Sequence, residues 1–339
     1  MPSAVRHDPP VFDRRFGATA PGTVGIEEEL FVVSSRSLEL APVPQELLDG
    51  ARRKAELFRS FLELTTTPAS RVVDAVLELE GLRRGAAARL EEHGLALLAS
   101  GTHPAAALPA DDVTDVPAMR AFVDYAGPAA LVQRCCGLHI HVSVADEEAC
   151  LASLESVLPW LPLVLALSAN SPYLAGEPSG YASARAELLT RLPRSGAPPA
   201  FATFAEWEAF AATLVEHGLA DDYTRIWWDV RPHPRLGTLE VRMADQPTEL
   251  AVAAALAALV QALVCSGSNG RTADRGIYAQ NRFAAQRFGC RAELIHPEGS
   301  ALATVPELTE ELLALVEPAA RRLGSCELLA PLRALARRT

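Results

Sequence analysis

Lysine is all but missing from this chain: Lys54 is the sole one among 31 Lys and Arg residues. That scarcity excludes chemistry. No Gly-Lys-Ser/Thr phosphate loop can be written, and Lys54 alone could form a Schiff base. Gly-x-Gly-x-x-Gly and Gly-x-Ser-x-Gly are absent as well, which removes the dinucleotide fingerprint and the nucleophile elbow. The six cysteines (Cys135, Cys136, Cys150, Cys265, Cys290, Cys326) form no Cys-x-x-Cys pair and read as reduced core thiols of a cytoplasmic protein. An excess of positive charge is missing too. The formal net charge of -11 argues against a nucleic-acid partner and an anionic membrane surface. No apolar run is a convincing span of about 20 residues. Val157–Ala169 carries Pro159 and Pro162, Leu250–Cys265 holds Gln261, and both are expected as buried helices. Residues 1–21 are Pro-rich, lack a secretory apolar segment, and read as a flexible arm. Residues 22–339 are expected to form a single catalytic domain with a helical C-terminal part.

What is present begins with Thr23-Val24-Gly25-Ile26-Glu27-Glu28-Glu29-Leu30-Phe31-Val32-Val33. Alternation along a strand puts Val24, Ile26, Leu30 and Val32 on one face and Glu27 and Glu29 on the other, about 7 Å apart. Carboxylates at that spacing can hold neighbouring divalent cations. Glu is a poor strand former, and a conflict between local propensity and pattern marks function more often than chance. A solvated acidic edge strand is the competing reading of this stretch.

Other strands carry the same signature. Leu57–Thr66 places Phe61, Glu63 and Thr65 together, with Leu62 and Leu64 opposite. Gly137–Val144 alternates Leu138, Ile140, Val142 and Val144 with His139, His141 and Ser143. Ile226–Arg231 presents Trp227, Asp229 and Arg231, and Gly237–Met243 presents Thr238, Glu240 and Arg242 against Leu239, Val241 and Met243. Between them the spacing predicts helical pieces around Gln45–Ala55, from a Ser70 cap through Leu90, over Glu147–Leu167, from Gly180, over Phe204–Leu219, and through most of the chain after Thr248. Pro193–Pro199 reads as a linker-like insertion.

One mainly antiparallel sheet would gather these polar faces into a concave site, with helices on the apolar side: an α+β architecture. Carboxylates without a Cys/His cluster suit Mg²⁺ or Mn²⁺ better than zinc. Arginines beside them suit phosphate or carboxylate. Carboxylates, hard cations and Arg on an open sheet describe a nucleoside triphosphate site that needs no phosphate loop. Two further readings stay open: a divalent-metal-dependent hydrolase built on His139 and His141, and a non-catalytic metabolite-binding protein.

Several short motifs carry a resemblance in order along the chain: Gly25–Leu30, Glu63-Leu64-Thr65, Gly101-Thr102-His103-Pro104, Gly137–Val142, Ser168–Pro172, Gly180–Ser183, Gly237–Arg242 and Asn281–Ala285. Together they resemble the bacterial carboxylate–amine ligase family, often called type 2 glutamate–cysteine ligase and related to glutamine synthetase. The resemblance implies a glutamine-synthetase-like sheet bent into a funnel, ATP, and two or more Mg²⁺ ions. It implies activation of a carboxylate, typically the glutamate side chain, as an acyl phosphate that an amine attacks, and it leaves room for a homodimer. By matched position it makes Glu27, Glu29, Glu63, His139 and Glu240 metal ligands. It assigns Arg242, Arg231 and Arg185 to the reacting groups, and His141, Arg242, Asn281 and Arg287 to the nucleotide. The chain departs from the family pattern at Ala105–Val116, which is shortened and lacks aromatic residues, and at Thr65–Ser70. Both departures leave the metal and phosphate set intact and leave the amine open, so cysteine is not assumed.

Overall fold

Three other strands hydrogen-bond to Val24–Ser34, so the glutamate stretch is the physical spine of the sheet. The structure, a computed structural model, describes residues 12–48, 50, 52–105, 112–267, 270–299 and 301–338. In chain order the first elements are β1 (Val24–Ser34), β2 (Arg53–Ala55), β3 (Phe61–Thr65), α1 (Val72–Glu92), β4 (Leu95–Leu98), α2 (Pro117–Ala126) and β5 (Gly137–Ser143). Then follow α3 (Glu147–Val157), α4 (Leu161–Ser168), α5 (Ala184–Leu189), α6 (Phe204–Glu216), β6 (Val230–His233) and β7 (Thr238–Asp245). The chain closes with α7 (Leu250–Val264), α8 (Arg275–Phe288) and α9 (Val305–Leu323), followed by short helical turns.

The seven-stranded sheet runs β6-β7-β5-β1-β3-β2, with β4 pairing the far end of β1, and every pairing in it is antiparallel. Val24, Ile26, Leu30, Leu62, Leu138, Ile140, Val142, Leu239 and Val241 are buried together against α1, α4, α7 and α9. The fold is therefore α+β, with helices on the apolar side. The long run 147–168 is apolar enough to cross a membrane, yet it is a core element here. Pro159 and Pro162 divide it: Leu158–Trp160 is a 3₁₀ turn between α3 and α4. α7 is buried on nearly every side.

Several local expectations change. Gln45–Leu47 is a single 3₁₀ turn, and Arg53–Ala55 is an edge strand, because Lys54 lies opposite Glu63 and pairs with it. The second strand starts at Phe61 rather than Leu57. Arg71, not Ser70, takes the cap position of α1 and makes no side-chain cap bond. Within Pro193–Pro199, Ser195–Gly196 pairs with Trp227–Trp228, which ties the insertion to the fold. The C-terminal part is not helical throughout: Glu293–Ile295 pairs with Leu302–Thr304.

Residues 1–11 of the proposed arm lie outside the described residues; residues 12–21 are held. Phe12 packs on Tyr223 and Trp207, Phe16 on Phe204, and the Arg15 and Gly17 amides donate to Pro234 and Val144.

Candidate active site

Register sets the site. Across the sheet Arg231 stands opposite Glu240, Glu240 opposite His141, His139 opposite Glu27, and Glu29 opposite Glu63. Cross-strand partners on one face have Cβ atoms about 5 Å apart, so five strands deliver these groups to one patch. Alternation on β1 is strict here. Glu27 and Glu29 face the site, whereas Glu28 faces the helices and is fully buried. Arg83 of α1 grips it in two 2.6 Å bonds, and Gln246 adds a third of 2.9 Å.

Glu27, His141 and Glu240 bring three potential ligand atoms within 4.8 Å of one another. His141 Nε2 is buried, has no hydrogen-bond partner among the described residues, and lies 3.6 Å from Glu27 and 3.9 Å from Glu240. His139 flanks the group, with Nδ1 3.5 Å from Glu27. Burial alone would raise the Glu27 carboxyl, but His141 and His139 outweigh it and hold it well below the usual range. Burial likewise opposes charge on His141, and Glu27 and Glu240 outweigh it, so the imidazole is raised. Oxygen donors plus one imidazole with an unengaged ring nitrogen fit a hard divalent cation.

A second acidic group adjoins the first. Glu29 accepts from the Gly137 amide at 2.6 Å, and Glu63 accepts from Lys54 at 2.7 Å and Thr65 at 3.0 Å. Glu56 joins them. Burial, then Glu63 and Glu29, push its carboxyl well above the usual range. Sequence reading did not single out Glu56, because it lies just before a turn and shows no strand alternation.

Glu240 accepts from Arg231 at 2.6 and 3.2 Å and also from Arg242. The other Arg231 donors go to the Thr224 and Ile226 carbonyls, so Arg231 holds Glu240 rather than facing a cavity. Asp229 does not share that face. The chain bends at Asp229 between Trp228 and Val230, and its carboxylate turns to Tyr278 and Arg282 at 2.7 Å each. Arg242 lies at a register shift in β7 between Val241 and Ala244, a bulge that re-aims a side chain. Arg185, 3% exposed, donates at 3.1 Å to the carbonyls of Arg242 and Met243 and so fixes that bulge. Two proposed nucleotide contacts are not brought to the cluster. Both amide atoms of Asn281 are used on the Ile295 backbone, and Arg287 bonds the Gly180 carbonyl beside Tyr181 and Phe288.

Two cavities flank the Glu27–His139 row. One, of about 160 Å³, is lined by Thr19, Gly25, Glu27, Arg52, Thr65, His141 and Thr238. The other, of about 140 Å³, is lined by Glu29, Glu56, His139, Arg185 and Arg242 at its base.

Residues 23–338 match glutamate–cysteine ligase family 2. The chain belongs to that family. A Rubrobacter xylanophilus protein provisionally named glutamate–cysteine ligase 2-3 is 37% identical over 322 residues, spanning 93% of this chain and 88% of its own length. A Roseiflexus castenholzii relative, provisionally named glutamate–cysteine ligase 2, is 34% identical over 318 residues, covering 90% and 84%. Among solved structures, a Francisella tularensis glutamate–cysteine ligase in complex with AMP superposes with a TM-score of 0.70 at 15% identity, covering 92% of this chain and 81% of that one. A bifunctional glutathione synthetase from Pasteurella multocida gives 0.65 at 16% identity, over 93% of this chain and 47% of that one. These likenesses show a fold shared with that glutamate–cysteine ligase and that bifunctional glutathione synthetase. Family membership places the chain among ligases that join a carboxylate to an amine.

Proposed function

We propose that the protein uses ATP to activate a carboxylate, the side chain of glutamate or a close analogue, as an acyl phosphate. An amine then displaces the phosphate, leaving an amide, ADP and phosphate. The observation that carries this reading is the position of Arg242 and the Glu27–His141–Glu240 group between two cavities on one sheet face.

The cavity beside Gly25, Thr65 and Thr238 takes the nucleotide, and the cavity beside Glu29 and Arg242 takes the acid and the amine, the sheet forming the floor of a funnel. Glu27, Glu240 and a histidine would hold one Mg²⁺, and Glu29, Glu56 and Glu63 a second. When bound, the cations neutralise charge on the triphosphate and on the group in transfer. Arg242 is 19% exposed at its side chain, next to Glu240, and its planar fork suits the transferred phosphoryl group. Arg185 holds the bulge that aims it, and Arg231 keeps Glu240 ionised. No activated serine motif, and one lysine, leave the acyl phosphate to form directly on the substrate.

Small-molecule partners and a cytoplasmic setting belong to the same proposal. A degenerate, non-catalytic member would be expected to lose carboxylates, whereas Glu27, Glu29, Glu56, Glu63 and Glu240 are all kept and gathered. The test is isotopic: oxygen-18 in the acid should appear in released phosphate, and hydroxylamine should trap a hydroxamate as ADP accumulates. AMP and pyrophosphate as products, or phosphate release without label, overturn the reading.

A further inference from the structure

The cavity at Glu29 and Arg242 changes character along its length. Its base carries Glu29, Glu56, His139 and Arg242, the groups that meet the reacting carboxylate and amine. Away from the base its wall is formed by Leu57, Met119, Phe122, Leu189, Leu192 and Trp227, with the Gln133 side chain, whose Nε2 donates to the Ala129 and Leu188 carbonyls, as its amide. These side chains do not merely edge the cavity. Phe122 and Leu192 are 8% and 5% exposed, and Leu57, Leu189 and Trp227 pack against them as a separate cluster. The Phe122 and Trp227 rings lie 4.9 Å apart at 40°. Arg225 stands at the rim over Phe122, but its guanidinium donates to the Ala118 carbonyl and pairs with Asp221. The wall therefore offers shape and apolar surface beside one amide, and its nearby cation is already engaged.

The donor acid cannot satisfy this wall. Its carboxyl must lie at Arg242, and a glutamate is polar at both ends, so contact with Phe122 or Leu192 would strip water from charges without replacing it. The amine nitrogen must reach the same base, where it attacks the activated carboxyl at Arg242. What extends from that nitrogen toward the wall is the amine's own substituent.

We propose, resting on the ligase reading above, that the acceptor is a primary amine with an apolar substituent of alkyl or single-ring size. The apolar wall and the charged base line one cavity, so such a group can lie on the wall while its nitrogen reaches the acid. A buried methylene adds roughly fourfold in affinity, and each hydroxyl left unpaired on the wall works against binding.

The experiment compares ethanolamine, L-cysteine, butylamine and phenethylamine as acceptors, with Mg²⁺-ATP and glutamate, by ADP release. kcat/KM for phenethylamine or butylamine should exceed that for ethanolamine and cysteine at least tenfold. Phe122→Ala, and separately Leu192→Asn, should cut that ratio severalfold. A readout without turnover accompanies it: phenethylamine should change tryptophan emission saturably, and Trp227→Phe should remove the change. Equal or better use of ethanolamine or cysteine overturns the inference, as does an unchanged ratio in both wall variants. Hydroxylamine separates the two levels, because it needs no wall. Hydroxamate formed without apolar preference sinks only the acceptor class, and no hydroxamate with glutamate or its analogues sinks the ligase reading and the inference together.

Discussion

Arg231 on β6 and Glu240 on β7 stand opposite each other and share two hydrogen bonds, 2.6 and 3.2 Å long. Both are almost fully buried, at 5% and 1% exposure. Burial would raise the Glu240 carboxyl; Arg231, Arg242 and His141 outweigh it and hold the group well below the usual range. An arginine with every terminal nitrogen committed to a carboxylate or a backbone carbonyl is a positioning residue. Its substitution acts first on the fold.

Arg231→Gln should therefore leave a buried carboxylate half-compensated and cost about 3–5 kcal/mol. In a chain of this size that is a fall in Tm of roughly 5–15 °C, measured by thermal denaturation in metal-free buffer. Wild-type Tm with a collapsed kcat would instead make Arg231 a substrate contact.

Adjacent glutamates on β1 should separate cleanly in function. Glu28 belongs to Arg83 and Gln246 beneath the sheet, and Glu27 to His141 and Glu240 above it. Glu28→Ala should lose stability, again about 3–5 kcal/mol, while a refolded fraction keeps Mg²⁺-dependent nucleotide binding. Glu27→Gln should do the opposite: a Tm near wild type and nucleotide affinity that no longer responds to Mg²⁺. Titration calorimetry with and without chelator reads the second, and equal Mg²⁺ dependence in both proteins would remove Glu27 from the metal site.

That contrast shows what was legible in the chain. Period-two alternation placed Glu27, Glu29, Glu63, His139, His141 and Glu240 on one face because β1, β3, β5 and the start of β7 are regular where those residues fall; Arg242 lies just beyond, at the bulge. It failed at Asp229, where a bend turns the side chain to Arg282 and Tyr278, since a bend leaves no periodic trace. Glu56 was invisible for a related reason: it directly follows the short edge strand Arg53–Ala55, a stretch whose spacing reads as helical. Asn281 and Arg287 came from motif matching, and their helix α8 spends them on Ile295 and Gly180 instead. The role of Arg185 depends on backbone carbonyls exposed by a bulge, and sequence pattern does not report those.

Arg185 also explains a glycine. A Cβ on Gly137 would lie 2.1 Å from Arg185 Nη2 and 2.6 Å from its guanidinium carbon. Gly137→Ala must displace the guanidinium that holds the carbonyls of Arg242 and Met243. Arg185→Lys cannot span both acceptors with one ammonium. Both variants should shift Arg242 and lower kcat by about 10- to 100-fold with little change in KM for ATP, because displacement of order 1 Å at a reacting group costs that much. A raised KM at constant kcat would mean that Arg185 contributes ground-state binding rather than positioning.

Glu56 gives a pH signature. Burial, then Glu63 and Glu29, raise its native carboxyl well above the unfolded value near 4.5. The native state therefore binds this proton more tightly than the unfolded state. The associated stability is complete below pH 4.5 and is lost as pH rises through the native pKa, by up to about 1.4 kcal/mol per pH unit. Other groups act in the same window. His141, which Glu27 and Glu240 raise above 6.5 against its burial, loses stability with the same sign. His233, which burial lowers to about 4, contributes with the opposite sign. The diagnostic is thus the difference between wild type and Glu56→Gln. In chelator the two should have similar Tm near pH 5, and the variant should become progressively the more stable toward pH 8. Saturating Mg²⁺ should reverse the order at pH 8, because a cation replaces the proton as the neutralising charge and the amide is the poorer ligand. Parallel Tm curves in chelator would show that Glu56 ionises freely, and an unreversed order in Mg²⁺ would remove it from the cation site.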